Sequence, residues 1–222
     1  MKRIDVYQKM RETGVVPLFY HPDADTAVQV MKTCHDAGLR VLEYTNRGPR
    51  AHSVFEKMAD HAQQNMPDMV LGVGSVVNPE TADLYIQLGA RFVVSPLMNP
   101  DMARPCNRRK AAWIPGCSTV SEISTAEELG AEIIKVYPAS MLGGPAFIKA
   151  LLAPCPWMCL MPSQGISPTE ENLKEWFDAG SFCVGIGSKL ITKDILKNAD
   201  YDQLGENLKN IQSIIKKIRA NP

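Results

Sequence analysis

One lysine stands inside an apolar run. The segment Ala131-Glu132-Ile133-Ile134-Lys135-Val136-Tyr137-Pro138 otherwise reads as a buried β-strand. Burying an ammonium group is costly unless it is paired, and desolvation moves its pKa down toward neutrality. A partly neutral lysine is a nucleophilic amine, the group that forms a Schiff base with a ketone. The position therefore points to carbonyl chemistry. The competing reading is a side chain that snorkels its head out at the rim of a sheet and does nothing chemical.

A second run, Val41-Leu42-Glu43-Tyr44-Thr45-Asn46-Arg47, alternates so that Glu43, Thr45 and Arg47 share one side. If Glu43 and Lys135 face the same interior, each offsets the burial cost of the other. A carboxylate beside an amine also supplies the proton transfers of Schiff-base chemistry. Arg47, just past the strand end, suits a planar carboxylate held by two parallel hydrogen bonds. The plainer alternative for Glu43 and Arg47 is a salt bridge on the rim, which would contribute little. Gly72-Val73-Gly74-Ser75 ends another strand-like run, and Tyr137 lies two residues beyond Lys135 on the same side.

Two late loops carry a separate signal, Pro162-Ser163-Gln164-Gly165-Ile166-Ser167-Pro168 and Gly185-Ile186-Gly187-Ser188. Glycine lets backbone N–H groups approach an anion closely, and Ser188 adds a hydroxyl donor. Such loops often build a phosphate site. Glycine in tight turns explains the same residues without a ligand.

The elements that would hold these groups alternate along the chain. Strands are expected over 14–20, 39–45, 69–74, 90–96, 111–115, 131–137, 157–161 and 182–186. Segments of helical period lie between them, among them 25–37, 49–64, 79–88 and 168–179, and a last helix is expected over 204–218. Ala37-Gly38 and Ala179-Gly180 mark helix ends, and Ser167-Pro168-Thr169-Glu170 marks a start. Eight strands each followed by a helix predict a (β/α)8 TIM barrel, an α/β fold, with one domain over 1–222. In that fold chemistry gathers at the C-terminal strand ends, where Glu43, Arg47, Ser75, Lys135, Tyr137, Gly165, Gly187 and Ser188 all fall. The basic residues late in the last helix and the cluster Arg108-Arg109-Lys110 are expected to be solvated.

Bulk composition limits the function classes. Lys+Arg and Asp+Glu balance at 24 each, so charge gives no sign of a nucleic-acid or membrane partner. No apolar run nears the ~20 residues of a membrane span. The opening Met1-Lys2-Arg3-Ile4-Asp5 lacks a secretory apolar core, so a cytoplasmic location is expected. The six cysteines form no Cys-x-x-Cys pair and the four histidines show no metal spacing, so reduced thiols and no metal are expected.

Together these segments resemble the family of 2-keto-3-deoxy-6-phosphogluconate (KDPG) and 4-hydroxy-2-oxoglutarate (KHG) aldolases. The resemblance rests on Leu42-Glu43-Tyr44-Thr45-Asn46-Arg47, Gly72-Val73-Gly74-Ser75-Val76, Ile114-Pro115-Gly116-Cys117-Ser118-Thr119, Ile134-Lys135-Val136-Tyr137-Pro138-Ala139 and Gly165-Ile166-Ser167-Pro168, in family order. It implies a metal-independent class I aldolase with no cofactor, usually a homotrimer, acting on a small-molecule 2-keto acid. Carried over, Lys135 is the Schiff-base lysine, Glu43 the general acid/base, Arg47 the carboxylate ligand, and Ser75 a pyruvate contact where the family more often has threonine. Gln164 stands where members with phosphorylated substrates usually have glycine, Gly48 replaces a common threonine, and Leu97 a common glycine. The expected reaction is cleavage of 2-dehydro-3-deoxy-6-phosphogluconate to pyruvate and an aldehyde. The alternatives are 4-hydroxy-2-oxoglutarate cleavage, a phosphate-binding barrel isomerase or synthase in which Lys135 is only electrostatic, and a non-catalytic ligand-binding barrel.

Overall fold

A computed structural model describes residues 1–220. Its elements alternate: α1 (Arg3–Thr13), β1 (Val15–Phe19), α2 (Ala24–Asp36), β2 (Val41–Thr45), α3 (Ala51–Asn65), β3 (Val70–Gly74), α4 (Pro79–Gln87) and β4 (Phe92–Val94). Then come α5 (Ala103–Arg109), β5 (Ala112–Ile114), β6 (Gly116–Cys117), α6 (Val120–Glu128), β7 (Ile134–Val136) and α7 (Pro145–Leu152). The chain ends with β8 (Leu160–Pro162), α8 (Glu170–Asp178), β9 (Val184–Ile186), α9 (Lys193–Asn198) and α10 (Tyr201–Ala220).

All strand pairs are parallel, in two sheets of order β5-β4-β3-β2-β1-β9 and β6-β7-β8. The expected strand over 111–115 is interrupted at Pro115, which has no N–H to donate, and resumes as β6. At the other seam a single bridge joins Ser163 to Gly185. The result is an α/β fold around a curled parallel sheet.

Alternation along the strands sorts the core. Val16, Val41, Val70, Phe92, Ile114, Ile133 and Met161 pack together on the concave face, with Val6 and Met10 of α1 beneath them. Leu42, Tyr44, Leu71, Val73, Trp113, Ile134 and Val136 pack on the opposite face among the helices. Glu43 and Lys135 therefore belong to the concave set, each one step beyond an apolar neighbour of that face.

Helix α1 was not expected, because only Val6 and Met10 of its residues are buried and no apolar stripe announces it. The strand expected over 157–161 moves to Leu160–Pro162, since Pro156-Trp157 makes a turn that leaves Trp157 67% exposed. The expected helix over 204–218 extends to Tyr201–Ala220. Gly38 (φ 94°) and Gly180 (φ 99°) follow their helices in the left-handed region, as the sequence predicts. Cys34, Cys106, Cys117 and Cys183 are free and buried, and burial pushes each thiol up to about 12. Among the described residues no helix is long and apolar enough to cross a membrane.

Candidate active site

Lys135 lies in β7 between Gly116 of β6 and Met161 of β8, with its N–H donating to Pro115 O at 2.9 Å. Its neighbours Ile134 and Val136 turn to the helices, so its own side chain is committed to the concave face. It is 7% exposed, which removes the snorkelling reading. The ammonium nitrogen stands 5.1 Å from the centre of the Tyr137 ring, a cation–π contact.

Glu43 lies in β2 opposite Leu18 of β1 and Gly72 of β3, and is 1% exposed. A Cβ on Gly74 would fall 1.7 Å from its Oε1, so the carboxylate fills the space that glycine leaves. Its Oε2 has no hydrogen-bond partner. On the sequence, each offsets the burial cost of the other if both face one interior. Their fields do oppose burial at each group, yet no ion pair within 4.0 Å joins them.

Burial consequently dominates both groups. Desolvation raises the Glu43 carboxyl, against the fields of Lys135 and Arg47. Desolvation lowers the Lys135 ammonium, against the field of Glu43, and Arg47 lowers it further. Both shifts favour chemistry near neutral pH, an amine that can add to a carbonyl and a carboxyl that can give and take a proton.

Arg47 forms no rim salt bridge either. Its Nε donates to Ser75 Oγ at 3.2 Å. Ser75 has φ 60°, a left-handed conformation that is uncommon for a non-glycine residue. It is held there at the end of β3, with Val76 N donating to Val94 O at 3.2 Å. Strand ends β2 and β3 are thus joined through two side chains.

A cavity of about 570 Å³ opens over this region and brings together Arg47, Lys135, Tyr137, Gly165, Gly187 and Ser188. Ser75 joins it through Arg47, and Glu43 through the charges of Lys135 and Arg47 that act on it. Lining side chains that the sequence did not single out are Tyr20, Ser163, Lys189 and Lys193. For Tyr20 a signal existed: a Cβ on Gly48 would lie 1.9 Å from the Tyr20 hydroxyl, so the small residue at 48 makes room for the phenol. Ser163 gave none. It is buried, its Oγ has no partner, and a Cβ on Gly185 would meet that oxygen at 2.2 Å.

Gln164 adopts φ 78° and accepts a hydrogen bond through Oε1 from Ser140 Oγ at 2.6 Å. A Cβ on the next residue, Gly165, would lie 2.3 Å from Ser140 Cβ. Gly165 therefore has a packing reason for its type, besides any contact with a ligand. Among the described residues no group of three His, Cys, Asp or Glu side chains gathers as a metal-ligand set.

The family model for KDPG and KHG aldolase matches residues 6–207. The chain belongs to the KDPG and KHG aldolase family. It is 33% identical over 192 residues to a 2-dehydro-3-deoxy-phosphogluconate aldolase of Pseudoalteromonas atlantica, covering 86% of each chain. With the KHG/KDPG aldolase of Escherichia coli it shares 31% over 191 residues, again 86% of each. Its fold superposes with a TM-score of 0.84, at 25% identity over 92% of this chain and 97% of the other, on a KDPG aldolase from Legionella pneumophila carrying pyruvate as a covalent carbinolamine. The family consists of carbon–carbon lyases that release pyruvate and an aldehyde, and this chain is one of them.

Proposed function

We propose that Lys135 is the Schiff-base residue of a class I aldolase whose first substrate is 2-dehydro-3-deoxy-6-phosphogluconate, with 4-hydroxy-2-oxoglutarate as a second substrate. The observation that carries this reading is the buried, unpaired Lys135 beside the buried, unpaired Glu43 on one concave face. Neutral Lys135 Nζ adds to the C2 ketone, and the carbinolamine takes a proton from solvent on its hydroxyl and loses water to give an iminium. Glu43 takes the C4 hydroxyl proton. As the C4 carbonyl forms, the C3–C4 bond breaks and its electrons pass into the iminium, leaving an enamine. Protonation of C3 from Glu43 and hydrolysis of the imine then release pyruvate and restore Lys135.

Arg47 and Ser75 hold the C1 carboxylate, and Tyr137 flanks the reacting carbon. Gly165, Gly187 and Ser188 receive the distal group. The relatives named for KDPG and for both KHG and KDPG support the two substrates. We further read the two sheets as one closed (β/α)8 barrel over a single unit, 1–222, of which 221 and 222 lie outside the described residues. Its support is the chain passing directly from β5 through Pro115 to β6, and the Ser163–Gly185 bridge. A cytoplasmic homotrimer completes the reading, on family resemblance.

The test is intact mass after incubation with pyruvate and borohydride, wild type beside Lys135→Met. A reduced pyruvate adduct in the wild type alone is expected. A folded wild type without adduct overturns the Schiff-base mechanism.

A further inference from the structure

The mechanism uses two of the cations in the cavity and leaves two without a role. Lys189 and Lys193 line the same cavity as Arg47 and Lys135, and no Asp or Glu side chain lines it. Lys189 Nζ donates to Ser167 Oγ at 2.6 Å, which ties the loop after β9 across to the loop after β8. Neither lysine takes part in an ion pair within 4.0 Å among the described residues. Lys193 is also the first residue of α9, behind the Thr192 cap. A cation there faces the positive end of the helix, the arrangement that helix stability disfavours. A residue that breaks a local rule without a structural return is a candidate for function.

The facing loop offers an anion only neutral donors. Ser167 N donates to Asn172 Oδ1 at 2.6 Å, and the first turn of α8 already carries Glu170 and Glu171. Gln164 fills a left-handed backbone position, and its Oε1 accepts from Ser140 Oγ, so its Nε2 is left as an uncharged donor. Charge for a distal anion must therefore come from the β9–α9 side.

We infer that Lys189 and Lys193 form a cationic wall that reads an anionic group at the end of the substrate farthest from its 2-keto acid, and so determine substrate specificity. This rests on the aldolase reading of the site. Two ammonium groups best match a phosphate monoester, which carries a charge of roughly −1.5 to −2 at pH 7. A single distal carboxylate uses the same wall at half the charge. A hydroxyl-ended acid gains nothing from it.

The test compares the wild type with Lys189→Met, Lys193→Met, the double variant and the double Lys→Arg variant. The substrates are the phosphorylated and unphosphorylated 2-keto-3-deoxygluconates and 4-hydroxy-2-oxoglutarate, each at low and high salt. Borohydride trapping with pyruvate on every variant reports that the fold and Lys135 are intact. In the double Met variant the phosphorylated-to-unphosphorylated ratio of kcat/KM is expected to fall at least about 50-fold, mostly through KM, with loss of the salt dependence. The Arg pair should retain most of the ratio. A smaller fall for 4-hydroxy-2-oxoglutarate assigns phosphate as the preferred anion, and a fall as large assigns the carboxylate. An unchanged ratio, or equal losses on all substrates, overturns the wall while trapping upholds the aldolase. Failure of trapping in the wild type overturns the aldolase reading, and the wall falls with it.

Discussion

At one end of the cavity Glu43 and Lys135 project from the bodies of β2 and β7, buried and locked by neighbours on both sides. At the other end Gln164, Ser188 and Lys189 ride on two loops, Lys193 opens α9, and all four are exposed. Strand positions hold a side chain within the small tolerance that bond-breaking demands, and they desolvate it enough to move its pKa. Loop positions do neither, but they can change residue type without disturbing the sheet. The departures from the family pattern follow this division. Ser75 for threonine is a mild change at the pyruvate end, whereas Gln164 for glycine changes both backbone freedom and polarity at the distal end. On the proposed roles, the chemistry is separable from the choice of substrate.

Changes at the buried end should break turnover on every substrate. Glu43→Gln keeps the shape but cannot exchange the C4 proton, and kcat should fall by roughly 10²–10⁴. Gly74→Ala reaches the same carboxylate without altering it. Its methyl would demand the place of Glu43 Oε1, 1.7 Å away, so kcat should drop by about 10²-fold while Lys135 still traps pyruvate. Steady-state rates on two unlike aldehyde-side substrates check both variants. A loss confined to one substrate would erase the division between the ends.

The pH profile sharpens the same contrast. Cleavage needs neutral Lys135 and ionised Glu43, so kcat/KM should rise from acid toward neutral pH. Burial raises Glu43 above its ordinary 4.5 and lowers Lys135 below its ordinary 10.5, so the Glu43 limb lies above 4.5 and the Lys135 limb below 10.5. Glu43→Gln should remove one limb and leave the other. Removing the distal lysines should move neither. Arg47→Met comes next in size: losing a charged carboxylate contact worth about 1.5–3 kcal/mol should raise KM by roughly 10–150-fold on all 2-keto acids. A change in kcat alone would reassign Arg47 from binding to the reacting centre.

The buried end was also the more legible from sequence. A lysine in Ile-Ile-Lys-Val and a glutamate in Val-Leu-Glu-Tyr are conspicuous because alternation says which way each side chain points. Strand order and the cavity's two walls could not be read that way. Tyr20 enters the site only because Gly48, 28 positions later, leaves room for its hydroxyl. Lys189 and Lys193 look like any solvated cations until the loop after β9 and the start of α9 come together over the strand ends. The mutual offset expected of Glu43 and Lys135 acts only through their fields, without an ion pair, for a physical reason. Alternation fixes a side chain's face, but not its distance from a partner that sits in the other sheet. Helix α1 stayed hidden because two side chains anchor it, too few to make a periodic signal.

The smallest expected effect concerns stability. Each charged group at the buried end is desolvated without an ion-pair partner, so the fold carries a cost there for the sake of chemistry. Replacing both, Glu43→Gln with Lys135→Met, should raise stability at pH 7 by about 1–2 kcal/mol, or roughly 2–8 °C in Tm for a chain of this length. Lys189→Met with Lys193→Met should change it by less than about 0.5 kcal/mol, as exposed sites do. The pH dependence identifies the source. Because the folded carboxyl is raised, its stabilising protonated form is complete below 4.5 and is lost as pH climbs through the folded value. The advantage of Glu43→Gln alone should therefore shrink as pH falls toward 4.5. Because the folded ammonium is lowered, the wild type binds fewer protons than its unfolded chain up to 10.5, and its stability rises with pH over that window. The advantage of Lys135→Met alone should shrink as pH rises toward 10.5. Calorimetry across pH 4–10 reads both slopes. A double variant less stable than the wild type at pH 7 would mean that Glu43 and Lys135 stabilise each other after all, and that the buried end is a structural pair.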